Sequence, residues 1–243
     1  MTGKATGTTP HGITTEQEAS RWVRGMFGRI AGHYDLLNHL LSFNLDRRWR
    51  ARTVERVSPI LARPDACVLD LCCGTGDVLL AIEDRKNCAA FGSDFCHPML
   101  VEAKGKVSSA LFEADALTLP LAGASFDLIT IAFGFRNLAN YRAGLQELLR
   151  VLKPGGAVAI LEFSQPTNRA FGAVYGFFST RVLPWIGGMI SGSREAYTYL
   201  PESIRKFPNA EQLADEMRAV GFAKVEFERM TGGAVALHLG TKA

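Results

Sequence analysis

Asp70, Asp94 and Asp115 stand at or just past the carboxyl ends of three successive short apolar runs, Cys67–Leu71, Phe91–Asp94 and Leu111–Glu113. The first run passes directly into Cys72-Cys73-Gly74-Thr75-Gly76-Asp77. A strand ending in Asp-x-x-x-Gly-x-Gly before a helix is where an α/β protein holds an adenosine-containing ligand. The two glycines, Gly74 and Gly76, turn the chain tightly and let a ligand approach the backbone, and the amides of the following helix face it. Asp94, about 20 residues further on, is placed to accept both ribose hydroxyls. Asp115, beside Ala116 and Leu117, suits an adenine: the carboxylate takes the exocyclic amine and the apolar side chains lie against the ring.

Phosphate-bearing cofactors fit less well. A dinucleotide fingerprint needs a third glycine where Leu79 stands, and no Gly-Lys-Ser/Thr follows the turn. An adenosine ligand without phosphate is S-adenosylmethionine, with Asp70 and the Gly74–Gly76 turn facing its amino-acid part. Each aspartate alone also reads as an ordinary helix cap; three on successive strands are harder to explain that way.

The elements that must position these residues are legible in the periodicity. Helices are expected at about 15–30, 34–42 and 46–58, the last capped by Asp46, followed by a linker from Pro59 to Asp65. Strands then alternate with helices: Cys67–Leu71, a helix from Val78, a strand ending at Asp94, and a helix opened by Pro98. After these come a weak strand near Leu111–Glu113, the strand Phe126–Ile131, a helix Tyr141–Leu152 stopped by Lys153-Pro154-Gly155-Gly156, and the strand Ala157–Phe163. A helix 209–220 and strands 222–228 and 234–240 close the chain. This is an α/β pattern: a seven-stranded, mostly parallel, doubly wound sheet of the Rossmann-like class, with the last strand antiparallel because a short connection precedes it.

Residues 15–243 read as one domain, in which 15–58 form a helical cap and 165–208 a substrate-binding insertion. Met1 to Thr14, rich in Thr, Gly and Pro, is expected to be a disordered tail and is not a signal peptide. The insertion holds the most apolar segment, Phe171–Ile190. A membrane span is disfavoured there by Arg181, Pro184 and Gly187-Gly188, so a pocket wall for an apolar ligand is expected, with peripheral membrane contact as an open alternative. A net charge of +3 carries no basic stripe, so a nucleic-acid partner is not expected. The five cysteines have no metal-ligand spacing; no metal is expected, and reduced, packed thiols suit a cytoplasmic protein. Oligomeric state is left open, a homo-oligomer included.

Several longer motifs complete the reading: Tyr34-Asp35-x-x-Asn38…Ser42…Trp49, Gly74-Thr75-Gly76-Asp77, Gly134-Phe135-Arg136-Asn137, Arg150-Val151-Leu152-Lys153-Pro154-Gly155-Gly156 through Glu162-Phe163-Ser164, and Tyr197-Thr198-Tyr199-Leu200-Pro201. In these the chain, over about 20–243, resembles the ubiquinone/menaquinone biosynthesis C-methyltransferases, which are class I S-adenosylmethionine-dependent enzymes. It departs from them at Leu37 (commonly Met), Asp46 (commonly His) and Ala132 (Ser in some relatives).

The resemblance implies Thr75, Asp94, Asp115 and Ala116 as cofactor contacts. It also implies methyl transfer to a ring carbon of a prenylated quinol, demethylmenaquinol first and the benzoquinol precursor of ubiquinone as the alternative. Such a carbon is nucleophilic once a ring hydroxyl is deprotonated, so the site must stabilise a phenolate and exclude water. Tyr34, Asp35, Arg136 and Asn137 are the expected catalytic residues, Arg136 as charge stabiliser or holder of a proton-accepting water; Glu162, at the end of strand five, reads either as a residue that orients the site or as a structural one. Asn38, Tyr197, Tyr199, Phe177 and Trp185 are expected to hold the substrate. A sterol-like acceptor and a non-catalytic quinone-assembly subunit are the competing readings.

Overall fold

The structure is a computed structural model that describes residues 3–85, 87–168, 172, 176 and 194–243. Seven strands form one sheet: β1 Cys67–Leu71, β2 Ala89–Asp94, β3 Ala110–Glu113, β4 Phe126–Ala132, β5 Leu152–Phe163, β6 Phe222–Met230 and β7 Val235–Lys242. Their order is β3-β2-β1-β4-β5-β7-β6. The first five are parallel, and β7 runs antiparallel between β5 and β6. Strand order reverses between β1 and β4, and a doubly wound sheet opens a crevice for a ligand at such a switch point, beyond the strands' carboxyl ends.

The side chains explain why these strands lie at the centre. After an irregularity between Phe126 and Leu128, β4 alternates: Leu128 faces one apolar layer, with Val54, Val57 and Leu61, while Ile129 and Ile131 face the other, with Leu145 and Leu148. Both faces are covered, as a parallel sheet requires. The helices are α1 Glu16–Ile30, α2 Tyr34–Leu41, α3 Leu45–Leu61, α4 Asp77–Glu83, α5 His97–Lys104, α6 Tyr141–Val151, α7 Arg194–Lys206 and α8 Ala210–Val220. Each buried leucine or isoleucine contributes about 2 kcal/mol of burial. In α8, Asn209 and Gln212 form a reciprocal capping box.

Four sequence expectations change. Asp46 is not the cap of α3: the helix begins at Leu45 after Asn44, whose φ is +58°, and the Asp46 carboxylate is taken by Ser42, His39 and Arg50. The same helix runs through Pro59 to Leu61, where the linker was expected. Lys153–Gly156 does not merely stop α6; it belongs to β5, because Leu152 already pairs with Phe126. Within the insertion, 194–206 is helical despite Pro201.

Residues 3–14, expected to be disordered, are instead packed. The amides of Thr6 and Gly7 both donate to Ala139 O, at 3.1 and 2.9 Å, and that of Thr8 donates to Leu138 O at 2.8 Å. A Cβ on Gly7 would lie 2.1 Å from Leu138 O, so only glycine allows this approach. The segment has no core of its own; it borrows partners from the loop after β4, which its composition does not reveal.

Candidate active site

The carboxyl ends of β1, β2 and β4 open onto a cleft with about 620 Å³ of empty space. Asp94, Phe95, Met99, Asp115, Ala116 and Leu117 line one part of it, and Phe133, Asn137, Leu138 and Ala139 another. A smaller adjoining cleft is lined by Asp70, Thr75, Asp77 and Arg50, and Tyr34, Cys72, Gly74 and Ala132 line both. The two together form an elongated site with acids at intervals along it.

The acids are held by local backbone geometry. Asp94 Oδ2 accepts from Gly74 N and Oδ1 from Cys96 N, both at 2.9 Å, so the end of β2 braces the glycine turn. Asp115 Oδ1 accepts from Leu117 N at 2.9 Å. Asp70 Oδ1 accepts from Thr130 Oγ1 across the β1–β4 pair at 2.6 Å. Its other oxygen is buried without a hydrogen-bond partner among the described residues.

Burial pushes Asp70 up to about 7 and Asp94 up to about 6, in each case against partial relief from the hydrogen bonds just described. Gly74 and Gly76 take φ values of +55° and +89°. Cys72 and Phe133, at the ends of β1 and β4, take +54° and +59°, a left-handed conformation that costs non-glycine residues about 1 kcal/mol or more each. Gly134 permits that junction, since a Cβ there would lie 2.4 Å from Cys72 Cβ.

This arrangement fits S-adenosylmethionine. The Gly74 amide is already spent on Asp94, and the lining is acidic, so a pyrophosphate would find repulsion rather than donors. The orphaned Asp70 oxygen suits a cationic group, and the apolar walls beside Asp94 and Asp115 suit a nucleoside.

On the cap side, Tyr34 is packed edge-on against Phe27 at 5.9 Å. Burial raises its pKa, and Arg136 partly counters this. Asp35 accepts from the Thr75 hydroxyl and pairs with Lys106, which also reaches Asp77 at 3.2 Å. That ties the cap to the glycine turn and occupies both Asp35 oxygens. Arg136 is buried; its Nη1 donates to Glu162 Oε1 at 2.9 Å and to Phe133 O, and its backbone amide to Glu162 Oε2 at 3.1 Å. Burial opposes the charge of Arg136, but Glu162, with Tyr34 and Tyr199, together more than offset it and the pKa stands above the ordinary value. Asn137 lies on the cleft wall, whereas Tyr199 is one hydrogen bond behind it, at 3.0 Å. Phe177 and Trp185 lie outside the described residues, and of Tyr197 only the backbone, in α7, is described.

Sequence reasoning missed Arg50, which joins Asp46 and Asp77 (3.1 Å to the latter) and borders the smaller cleft. Its i, i+4 spacing from Asp46 was the available signal. His39, Asp46 and Asp77 approach within 4.8 Å of one another, in metal-ligand fashion, but Arg50 contacts both carboxylates there.

Solved structures share this architecture. A methyltransferase structure from Thermotoga maritima superposes with a TM-score of 0.65 at 18% identity, covering 90% of this chain and 99% of that one. The cyclase SpnF gives 0.67 at 17%, covering 92% and 96%. The fold is the class I, Rossmann-like methyltransferase fold; that a cyclase shares it means the fold does not name the reaction. The chain belongs to the ubiE/COQ5 methyltransferase family, whose model matches residues 14–242. It is an S-adenosylmethionine-dependent methyltransferase. It is 48% identical over 223 residues to a demethylmenaquinone methyltransferase of Thermus thermophilus, covering 89% of this chain and all of that protein. It is 37% identical, with full coverage of both chains, to a ubiquinone/menaquinone biosynthesis C-methyltransferase of Cereibacter sphaeroides.

Proposed function

We propose that the protein methylates a ring carbon of demethylmenaquinol. The observation that carries this reading is the placement of Asn137 and Tyr34 on the cleft wall, with the Arg136–Glu162 pair buried beside Asn137, opposite the acidic nucleoside side. S-adenosylmethionine supplies an electrophilic methyl on a positively charged sulfur. Asp94 and Asp115 would hold its nucleoside, and Asp70, Thr75 and the Gly74–Gly76 turn its amino-acid part. A quinol carbon attacks once a ring hydroxyl is ionised, and donors fixed before the reaction lower the cost of that charge. Asn137 offers an amide N–H, Tyr34 a hydroxyl, and Arg136 a positive charge held in place by Glu162. The ring proton displaced by the new C–C bond leaves to water. The apolar run Phe171–Ile190 is our choice for the prenyl tail, reached by peripheral contact with a bilayer; the described residues contain no helix long and apolar enough to cross a membrane.

The test is methyl transfer by purified protein to demethylmenaquinol and, in a second arm, to a prenylated benzoquinol, with the product's methylated atom located by mass spectrometry. Carbon methylation of the naphthoquinol supports the reading; transfer to neither quinol overturns it. Arg136→Lys, which keeps a charge opposite Glu162, should lower kcat roughly 100-fold with Kd for S-adenosylmethionine nearly unchanged. Collapse of cofactor binding instead would remove Arg136 from the acceptor side.

A further inference from the structure

The N-terminal segment reaches the site through one chain of hydrogen bonds. Thr8 is buried, and its hydroxyl lies 2.8 Å from the Tyr199 hydroxyl. The Tyr199 hydroxyl donates to Asn137 Oδ1 at 3.0 Å. A phenol has one proton, and here it is spent on Asn137, so Thr8 is the donor to Tyr199. The direction is consistent at the far end, where Asn137 Nδ2 faces Phe133 O at 3.4 Å. With the amide reversed, two oxygens would face each other there. The chain therefore runs Thr8 to Tyr199 to Asn137, and it leaves the second Asn137 N–H for the cleft that Asn137 lines.

We propose that Thr8 is a positioning residue for methyl transfer: through Tyr199 it sets and polarises the Asn137 amide, so that segment 3–14 completes the acceptor side of the site. The inference rests on the acceptor reading given above. A donor feeding an amide oxygen strengthens that amide's own N–H as a donor, the property a developing phenolate needs. Burial raises the Tyr199 pKa to about 12, so the hydroxyl keeps the proton the chain requires.

The rest of the segment serves this placement. Its amides are fastened to Leu138 and Ala139, both cleft residues, and Thr9 receives Lys206 from α7 at 3.1 and 3.2 Å. Trp22 packs on Tyr199 at 5.0 Å and His11 packs on Trp22 at 5.2 Å, which confines the phenol ring from the other side. Thr8 precedes the residues matched by the family, so a family motif could not have pointed to it.

Two measurements test the proposal separately from the reading it rests on. In 15N-labelled protein the Asn137 side-chain amide resonance, identified by its loss in Asn137→Asp, should shift in Thr8→Val and return in Thr8→Ser. An unmoved resonance overturns the proposal whatever the acceptor. In the quinol assay Thr8→Val should lower kcat about tenfold with KM for S-adenosylmethionine within about twofold, and Thr8→Ser should restore it. Tyr199→Phe removes the middle hydroxyl without disturbing the strap, and the double variant should be no slower than Tyr199→Phe alone. Additive losses, or wild-type kcat in Thr8→Val, overturn the proposal. A wild-type protein that methylates neither quinol, with the resonance shift intact, counts against the acceptor reading instead.

Discussion

The nucleoside side and the acceptor side of this site are built in different ways. On the nucleoside side each polar group is set by backbone within a few residues of a strand end: Asp94 by Cys96 N and Gly74 N, and Asp115 by Leu117 N. On the acceptor side the polar groups are set by side chains from distant parts of the chain: Arg136 by Glu162, and Asn137 by Tyr199 and, behind it, Thr8. The first kind of site is built from the ends of the sheet's own strands and comes with the fold. The second depends on the docking of the cap, the N-terminal segment and α7, and it can change without disturbing the sheet. Substitutions on the two sides should therefore separate into losses of cofactor affinity and losses of turnover.

The largest effect is expected where the two sides meet. Gly134→Ala puts a Cβ 2.4 Å from Cys72 Cβ, between two residues already in the left-handed region. Overpacking of this kind costs about 1–3 kcal/mol and shifts backbone. Both cofactor binding and turnover should be lost, with a lower melting temperature. A variant with normal Kd would show that the junction relaxes easily and that the two sides are less coupled than their geometry suggests.

Asp94→Asn comes next and should fall wholly on the affinity side. An amide has one acceptor oxygen where the carboxylate serves two amides, and its NH2 would face an N–H. Calorimetry should show Kd for S-adenosylmethionine about 100-fold weaker, the cost of a buried unsatisfied donor. A kcat loss at saturating cofactor would place Asp94 on the other side of the comparison.

The same carboxylate predicts a pH dependence. Burial raises Asp94 from its ordinary 3.8 to about 6, so the free protein keeps this proton up to about pH 6. Its contribution to stability is present below the unfolded value and is lost as pH rises from about 4 through 6. A ribose diol needs two acceptor oxygens, and only the ionised carboxylate offers both, so binding drives the proton off. Kd should weaken about fivefold from pH 6 to pH 5 through Asp94 alone, about 50-fold where Asp70, raised to about 7, must ionise as well, and it should level above about pH 8. Titrations in buffers of different ionisation enthalpy should show proton release near pH 6; a Kd flat from pH 5 to 8 would mean that neither acid titrates on binding.

The difference between the sides also explains what the sequence made legible. Asp70, Asp94 and Asp115 were legible because each stands at the end of an apolar run, and all three line the clefts at the strand ends. The sheet, including antiparallel β7, followed from strand spacing and short connections. Thr8 could not be found: composition asks whether residues 3–14 can bury a core of their own, whereas they are held by Ala139 O, Leu138 O and a tyrosine 191 positions away. Asp46 looked like a cap because local spacing does not show that Arg50, His39 and Ser42 claim it.

Asp35 gives the smallest effect and the sharpest test of the comparison, because it touches both sides. Read from the sequence it is a catalytic acid at a helix junction, and as such its loss should cost roughly 100-fold or more in kcat. In the structure it joins the cap to Thr75 of the glycine turn and to Lys106, with both partners of the ion pair partly exposed. A half-exposed pair of this kind is worth about 0.5–1 kcal/mol. Asp35→Asn keeps an oxygen for the Thr75 hydroxyl and gives up only the pair, so kcat/KM should fall about two- to fivefold. Lys106→Met should match it, and the double variant should add little. A hundredfold loss in Asp35→Asn with Lys106→Met near wild type would return Asp35 to the chemistry. Matched small losses would make it the fastening between the cap and the glycine turn, joining the acceptor side to the cofactor side.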